Sequence, residues 1–139
     1  RWDDVALRDY LNSTYPVSFL KLSLLYDDHF WDAEAINQDH IFPKSLFDQG
    51  NPAFAALSSE KQAIFATLCN RIGNLELLNE TENNLKRATP FAKWLPTRDK
   101  SFRQRHFIPE DEDLLRFERF EDFITAREQL IAARLNAVV

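Results

Sequence analysis

Three short strings in this sequence hold residues able to do chemistry: Asp39-His40-Ile41-Phe42-Pro43, Ile72-Gly73-Asn74-Leu75 and Asn83-Asn84-Leu85-Lys86. Adjacent Asp39 and His40 offer a hard oxygen ligand and a base that titrates near neutral pH. Asn83 adds a second oxygen donor; Asn84 would take its place if the helical phase shifted by one, and spacing favours Asn83. Asp39 and Asn83 together suit one Mg²⁺, with Mn²⁺ as a substitute, because Mg²⁺ takes only one or two protein oxygens and keeps water elsewhere. On a helix, Lys86 and Arg87 lie three and four residues past Asn83 on the same face. One helix then presents an oxygen ligand beside two phosphate-binding cations. Asn74, after Gly73, suits a turn as well as a site, and the two roles are compatible.

These strings need elements to position them. Ala35 to Ile41 reads as a short strand running into Phe42-Pro43, and Asn74 to Leu78 alternates like a second strand. In a regular strand Asp39 and His40 face opposite sides, so a shared site requires the backbone to leave ideal strand geometry there. Asn79 with Glu82 forms a capping box opening the helix of Asn83, which Thr89-Pro90 ends. Ser59 with Gln62 forms another box ahead of Ile64 and Leu68.

Asp3 and Asp4 open a first helix, with Trp2, Val5, Ala6 and Tyr10 at helical spacing. Pro16 starts a second, whose run Val17 to Tyr26 is apolar nearly all round and is expected to be buried. The stretch after Pro90 has room for one short helix, around Phe91 to Leu95. Phe120, Ile124, Ile131 and Leu135 stripe a long final helix, with Phe123 and Leu130 beside them. The expected fold class is α+β and mostly helical, with a short two-stranded hairpin and one helix inserted among several others.

Composition narrows the function classes. The 139 residues, 45% hydrophobic and 28% charged, suit one globular domain with a real core. Only 2 Gly against 12 Phe and 3 Trp excludes a Gly-rich phosphate loop and low-complexity disorder, and the aromatic residues are expected in the core. The one cysteine, Cys69, excludes an internal disulfide or a cysteine zinc cluster and reads as a small buried hydrophobe. No apolar run approaches a membrane span, so an intracellular, cytoplasmic setting with no membrane partner is expected. Arg1 at the start and the lack of Met suggest part of a longer polypeptide.

The net charge of −5 is unevenly spread. Residues 84–107 carry Lys86, Arg87, Lys93, Arg98, Lys100, Arg103 and Arg105 against Asp99 alone. This basic stretch between acidic flanks is a footprint for a phosphate backbone, or else a solvated loop pairing with those flanks. His106 reads as a loop residue near that stretch, open to phosphate contact. Asp27, Asp28, His29 and Asp32 read as an exposed acidic loop.

The order of these strings resembles an HNH endonuclease, the ββα-metal nuclease class. Asp39-His40-Ile41-Phe42-Pro43-Lys44-Ser45, then Arg71-Ile72-Gly73-Asn74-Leu75-Glu76-Leu77-Leu78, then Asn83 and Pro90-Phe91, resembles one subfamily in particular. It is similar to the C-terminal HNH domain of bacterial proteins with a ParB-like nucleotide-hydrolysing domain at the N-terminus, a group that includes modification-dependent (type IV) restriction enzymes. The match covers roughly residues 36–95, the ββα-metal core of one domain spanning 1–139.

The resemblance implies a metal-dependent DNA endonuclease in bacterial defence. His40 would be the general base; Asp39 and Asn83 would bind Mg²⁺; Asn74 would orient His40 or fix the loop that holds it. Double-stranded DNA would be the substrate, the basic stretch its contact surface, and the N-terminal domain of the parent chain its recognition partner. The alternative is an HNH-shaped binding or interaction domain that no longer cleaves.

Overall fold

The computed structural model describes residues 2–26 and 35–137. Helix α1 (Asp4–Leu11) is capped by Asp3, whose carboxylate accepts from the Ala6 amide at 2.8 Å. A short helix α2 follows (Phe19–Ser23). Strand β1 (Ile36–His40) pairs antiparallel with β2 (Leu75–Asn79) in a two-stranded sheet. Between them lie α3 (Pro52–Ala55) and α4 (Ser59–Cys69). Helix α5 (Glu80–Ala88) leaves β2 directly and packs back on both strands. Then come α6 (Phe91–Trp94), α7 (Lys100–Arg105) and the long α8 (Phe120–Ala137). The architecture is mostly helical around one antiparallel hairpin, as the sequence predicts.

Local chemistry explains the boundaries. The Asn79–Glu82 capping box is complete: Asn79 Oδ1 accepts from the Glu82 amide at 2.8 Å, and Glu82 Oε1 from the Asn79 amide at 3.0 Å. Thr89 ends α5. Helix α4 departs from expectation. Ser58, not Ser59, is its cap, accepting from the Lys61 amide at 3.1 Å. Gln62 instead donates to the Phe54 carbonyl at 3.1 Å, tying α4 to the turn before it.

The stretch after Pro90 holds two helices before residue 107, not one, because Asp99 caps α7 by accepting from the Phe102 amide at 2.8 Å. Helix α7 stops where Phe107 takes left-handed backbone (φ 57°), and Ile108 N–H bonds back to the Arg103 carbonyl at 2.8 Å.

Two apolar clusters share the spine of α8. The first centres on Phe42, whose ring lies 4.9 Å from Phe91, 5.1 Å from Phe120 and 4.9 Å from Phe123. Burying such a ring contributes roughly 1.5–3 kcal/mol. The second joins Tyr10, Leu22, Ile72, Leu75, Leu77, Ile131 and Leu135. The final-helix stripe is therefore as expected, except that Leu130 is exposed and Arg127 takes a buried place on α8. Cys69 is buried, and burial pushes its thiol up to about 11. A side chain at Gly73 would come 3.0 Å from the Ile124 methyl, so the turn into β2 presses on α8 only because a glycine stands there.

The expectation of a buried helix over Val17–Tyr26 fails. Leu22, Leu25 and Tyr26 are buried, but Val17 is 81% and Leu20 78% exposed. The helix within that run is five residues long, too short to be enclosed. In α1, Tyr10 is buried while Val5 points to solvent. The Asp27–Asp32 acidic cluster lies outside the described residues. Among the described residues no helix is long and apolar enough to cross a membrane.

Candidate active site

The β1–β2 ladder stays regular to its last rung, Asp39 opposite Glu76 and His40 opposite Leu75. The expected departure from strand geometry does not occur. Asp39 and His40 instead reach different surroundings on either side of the hairpin, as period-two alternation requires. Both still line one open cavity of about 540 Å³, with Lys44, Lys86, Arg87 and Phe91 among its other walls. They meet there because His40 is the final rung and the chain turns away at Ile41 and Phe42.

On one side, Asn70 Oδ1 accepts from His40 Nε2 at 2.9 Å, and the Tyr15 ring lies 5.0 Å from the imidazole. Asn70 caps the C-terminus of α4, and its carbonyl accepts from the Tyr15 amide at 2.8 Å, so both neighbours of His40 are held by backbone. With Nε2 donating, the proton-accepting lone pair belongs to Nδ1, to which no hydrogen bond runs from the described residues. Partial burial pushes the imidazole below the usual histidine range, against the Asn70 bond and the Asp39 charge; Lys44 and Lys86 add to the lowering. A neutral histidine with one committed nitrogen and one free nitrogen is equipped to accept a proton.

Asn74 is wholly buried and serves the loop. Its Oδ1 accepts from the Phe42 amide at 2.9 Å; its Nδ2 donates to the Phe42 carbonyl at 3.1 Å and the Cys69 carbonyl at 3.0 Å. Its own carbonyl accepts from the Ile41 amide at 2.8 Å. Of the two roles open to it, the geometry gives the loop that follows His40.

On the other side, the Lys86 ammonium pairs with the Asp39 carboxylate and donates to the His40 carbonyl at 2.5 Å. Behind them Glu76 is fully buried, and its carboxyl is held well above its usual range by burial first and the Asp39 charge second. Glu76 also lies 3.3 Å from His106 Nδ1, which is hydrogen-bonded to the Tyr26 hydroxyl at 2.9 Å. His106 does lie in the turn after α7, but it is not open to phosphate: it is fully buried, and burial holds it well below the usual histidine range. Arg127 completes this interior, donating to the Ile72 carbonyl at 2.7 Å and the His106 carbonyl at 3.1 Å.

The basic side chains have separate fates. Lys86 is buried; Arg103 pairs with Glu112 at 2.6 Å, Arg105 lies 3.8 Å from Glu82, and Arg98 stacks 5.2 Å over Trp94. Arg87, Lys93 and Lys100 remain exposed, Arg87 bonded to Asn84 at 2.7 Å. Asn83 is half-buried and has no hydrogen-bond partner among the described residues, whereas Asn84 is exposed.

Sequence reasoning missed Asn70, Lys44 and Glu76. Asn70 left no signal, since it lies thirty residues from His40 and meets it only through the fold. Lys44 stood within the quoted string with no role assigned. Glu76 was visible as the one charged residue in an apolar strand.

Of the two expected oxygen donors, Asp39 lines the cavity and Asn83 does not. The structure instead sets Glu76 opposite Asp39, with both of its carboxyl oxygens buried without a hydrogen-bond partner. That oxygen pair suits a hard divalent cation.

No curated protein matches the chain. A family model for the GmrSD restriction endonucleases, C-terminal domain, matches residues 5–134. That span takes in the hairpin, α5 and nearly all of α8, so the chain belongs to the C-terminal domain family of GmrSD restriction endonucleases.

Proposed function

We propose that this domain is an HNH-type, ββα-metal DNA endonuclease, with His40 as general base and Mg²⁺ or Mn²⁺ as cofactor. The observation that carries the proposal is the Asn70-oriented imidazole of His40, its Nδ1 unclaimed, on the wall of the cavity that Asp39 also lines. Nδ1 takes a proton from water as the water oxygen bonds to phosphorus, and the bond from phosphorus to the 3′ oxygen breaks. Asp39 and Asn83 would hold the metal, which when bound supplies Lewis-acid stabilisation of charge on the phosphoryl and departing oxygens.

Asn74 keeps the turn after His40 in place. Arg87 and Lys44, exposed at the cavity mouth, offer charge to the phosphates flanking the scissile bond. Such contacts carry no base information, so specificity belongs to an N-terminal recognition and nucleotide-hydrolysing domain of the parent chain. The family supports a nuclease in restriction and defence; the cavity supports the HNH chemistry.

Incubating the domain with supercoiled plasmid and Mg²⁺ or Mn²⁺, with and without chelator, tests the reading. Metal-dependent conversion to nicked or linear DNA is expected. Binding without cleavage in either metal favours the inactive HNH-shaped alternative.

A further inference from the structure

Beneath α5 an ammonium fills an oxygen cage. Lys86 Nζ pairs with Asp39 Oδ2, lies 2.5 Å from the His40 carbonyl oxygen and 3.9 Å from Glu76 Oε2. The Trp94 ring closes over it at 4.8 Å. Lys86 is 6% exposed and Glu76 0%. Lysine is rarely buried this deeply unless paired, so the oxygens account for its position. The pairing is nevertheless incomplete: two carboxylates on one ladder rung face one cation, and neither oxygen of Glu76 has a hydrogen-bond partner. An all-oxygen cage of two carboxyl groups and a main-chain carbonyl suits a doubly charged hard cation.

We infer that Lys86 holds the place of the divalent metal: metal entry displaces its ammonium from Asp39 and recruits Glu76 as a second carboxylate ligand. The inference rests on the metal-dependent reading above and adds a competitor and a ligand to it. Lys86 also lines the open cavity, so its displaced ammonium has somewhere to go. There it meets the phosphate side of the site beside Arg87. The same lysine thus neutralises Asp39 while metal is absent and turns to substrate when metal is present.

Mn²⁺ binding to the chain, measured by titration calorimetry, tests this without reference to cleavage. Lys86→Met should bind Mn²⁺ about tenfold or more tightly than wild type, because a like charge leaves the site. Glu76→Gln should bind about 10–100-fold more weakly. Wild-type binding with no gain in Lys86→Met, or no loss in Glu76→Gln, overturns the inference while leaving the metal reading intact. Absence of binding in both wild type and Lys86→Met overturns both. Should Lys86→Met fail to fold, wild-type protein carrying ¹³Cε-lysine decides: Mg²⁺ should shift the Lys86 resonance toward its free-lysine position. A Lys86 resonance that saturating Mg²⁺ leaves unmoved overturns the displacement.

Discussion

The two sides of the β1–β2 hairpin solve opposite problems with adjacent residues. His40 sits on the half-open side, neutral, bonded at one nitrogen and flanked by Tyr15. Asp39, one residue earlier, also reaches the cavity but backs onto a closed side where Lys86, Glu76, His106, Tyr26 and Arg127 form a buried polar interior. The open side keeps a reactive lone pair available; the closed side holds charge that water would otherwise screen. A base needs access and a moderate pKa, whereas a buried carboxylate needs partners for its charge. Strand alternation supplies both from neighbouring positions.

Among changes on the closed side, loss of the carboxylate should have the largest effect on cleavage. Asp39→Ala should lower the rate about 10²–10³-fold, the range for removing one electrostatic stabiliser of a developing charge. Asn83→Ala should cost less and Asn84→Ala least; single-turnover cleavage of plasmid ranks them. Equal losses at Asn84 and Asn83 would place the helical phase off by one.

Arg127→Met attacks the closed side without touching His40. It strands the Ile72 and His106 carbonyls in the interior, and stability should fall by about 3 kcal/mol. Urea unfolding measures the loss.

On the open side, Asn70→Ala should lower the rate roughly tenfold, because an unoriented imidazole spends less time with Nδ1 toward water. The pH profile sharpens this. A general base works when deprotonated, so the rate is full above the His40 pKa and falls below it. Burial lowers that pKa, so the acid limb should lie below the ordinary histidine value of about 6.5. Asn70→Asp adds a negative charge and should move the limb to higher pH; Lys44→Met, which removes a positive one, should move it the same way by less.

The smallest effects belong to the rim. Arg87→Glu and Lys93→Glu should each flatten the salt dependence of DNA binding by about 0.9 in log–log slope, one phosphate contact apiece. Arg116→Glu, outside the basic stretch, should leave it unchanged. Fluorescence anisotropy across a salt series reads all three.

Local signals in the sequence were sufficient for the hairpin, α5 and α8. A capping box, a period-two run and a helical stripe each act within a few residues, and each forms where its chemistry stands. A cap one residue off in α4 and a missed Asp99 cap at α7 are local; the larger misreadings concern long-range packing. Val17 and Leu20 share the composition of buried residues, yet nothing along the chain says which side of a five-residue helix the core will cover. His106 looks like a polar loop residue until Tyr26 and Glu76 arrive from 80 and 30 residues away. The motif located Asp39, His40 and Asn74; the partners that set their roles, Asn70, Glu76 and the inward-turned Lys86, are made only by folding.

The central claim is that His40 is the base, and His40→Ala in single-turnover cleavage with saturating Mg²⁺ tests it most directly. The rate should fall roughly 10²–10⁴-fold. The urea midpoint should stay near wild type, because His40 is only half-buried. A His40→Ala protein that is folded and cuts DNA at the wild-type rate would contradict the account.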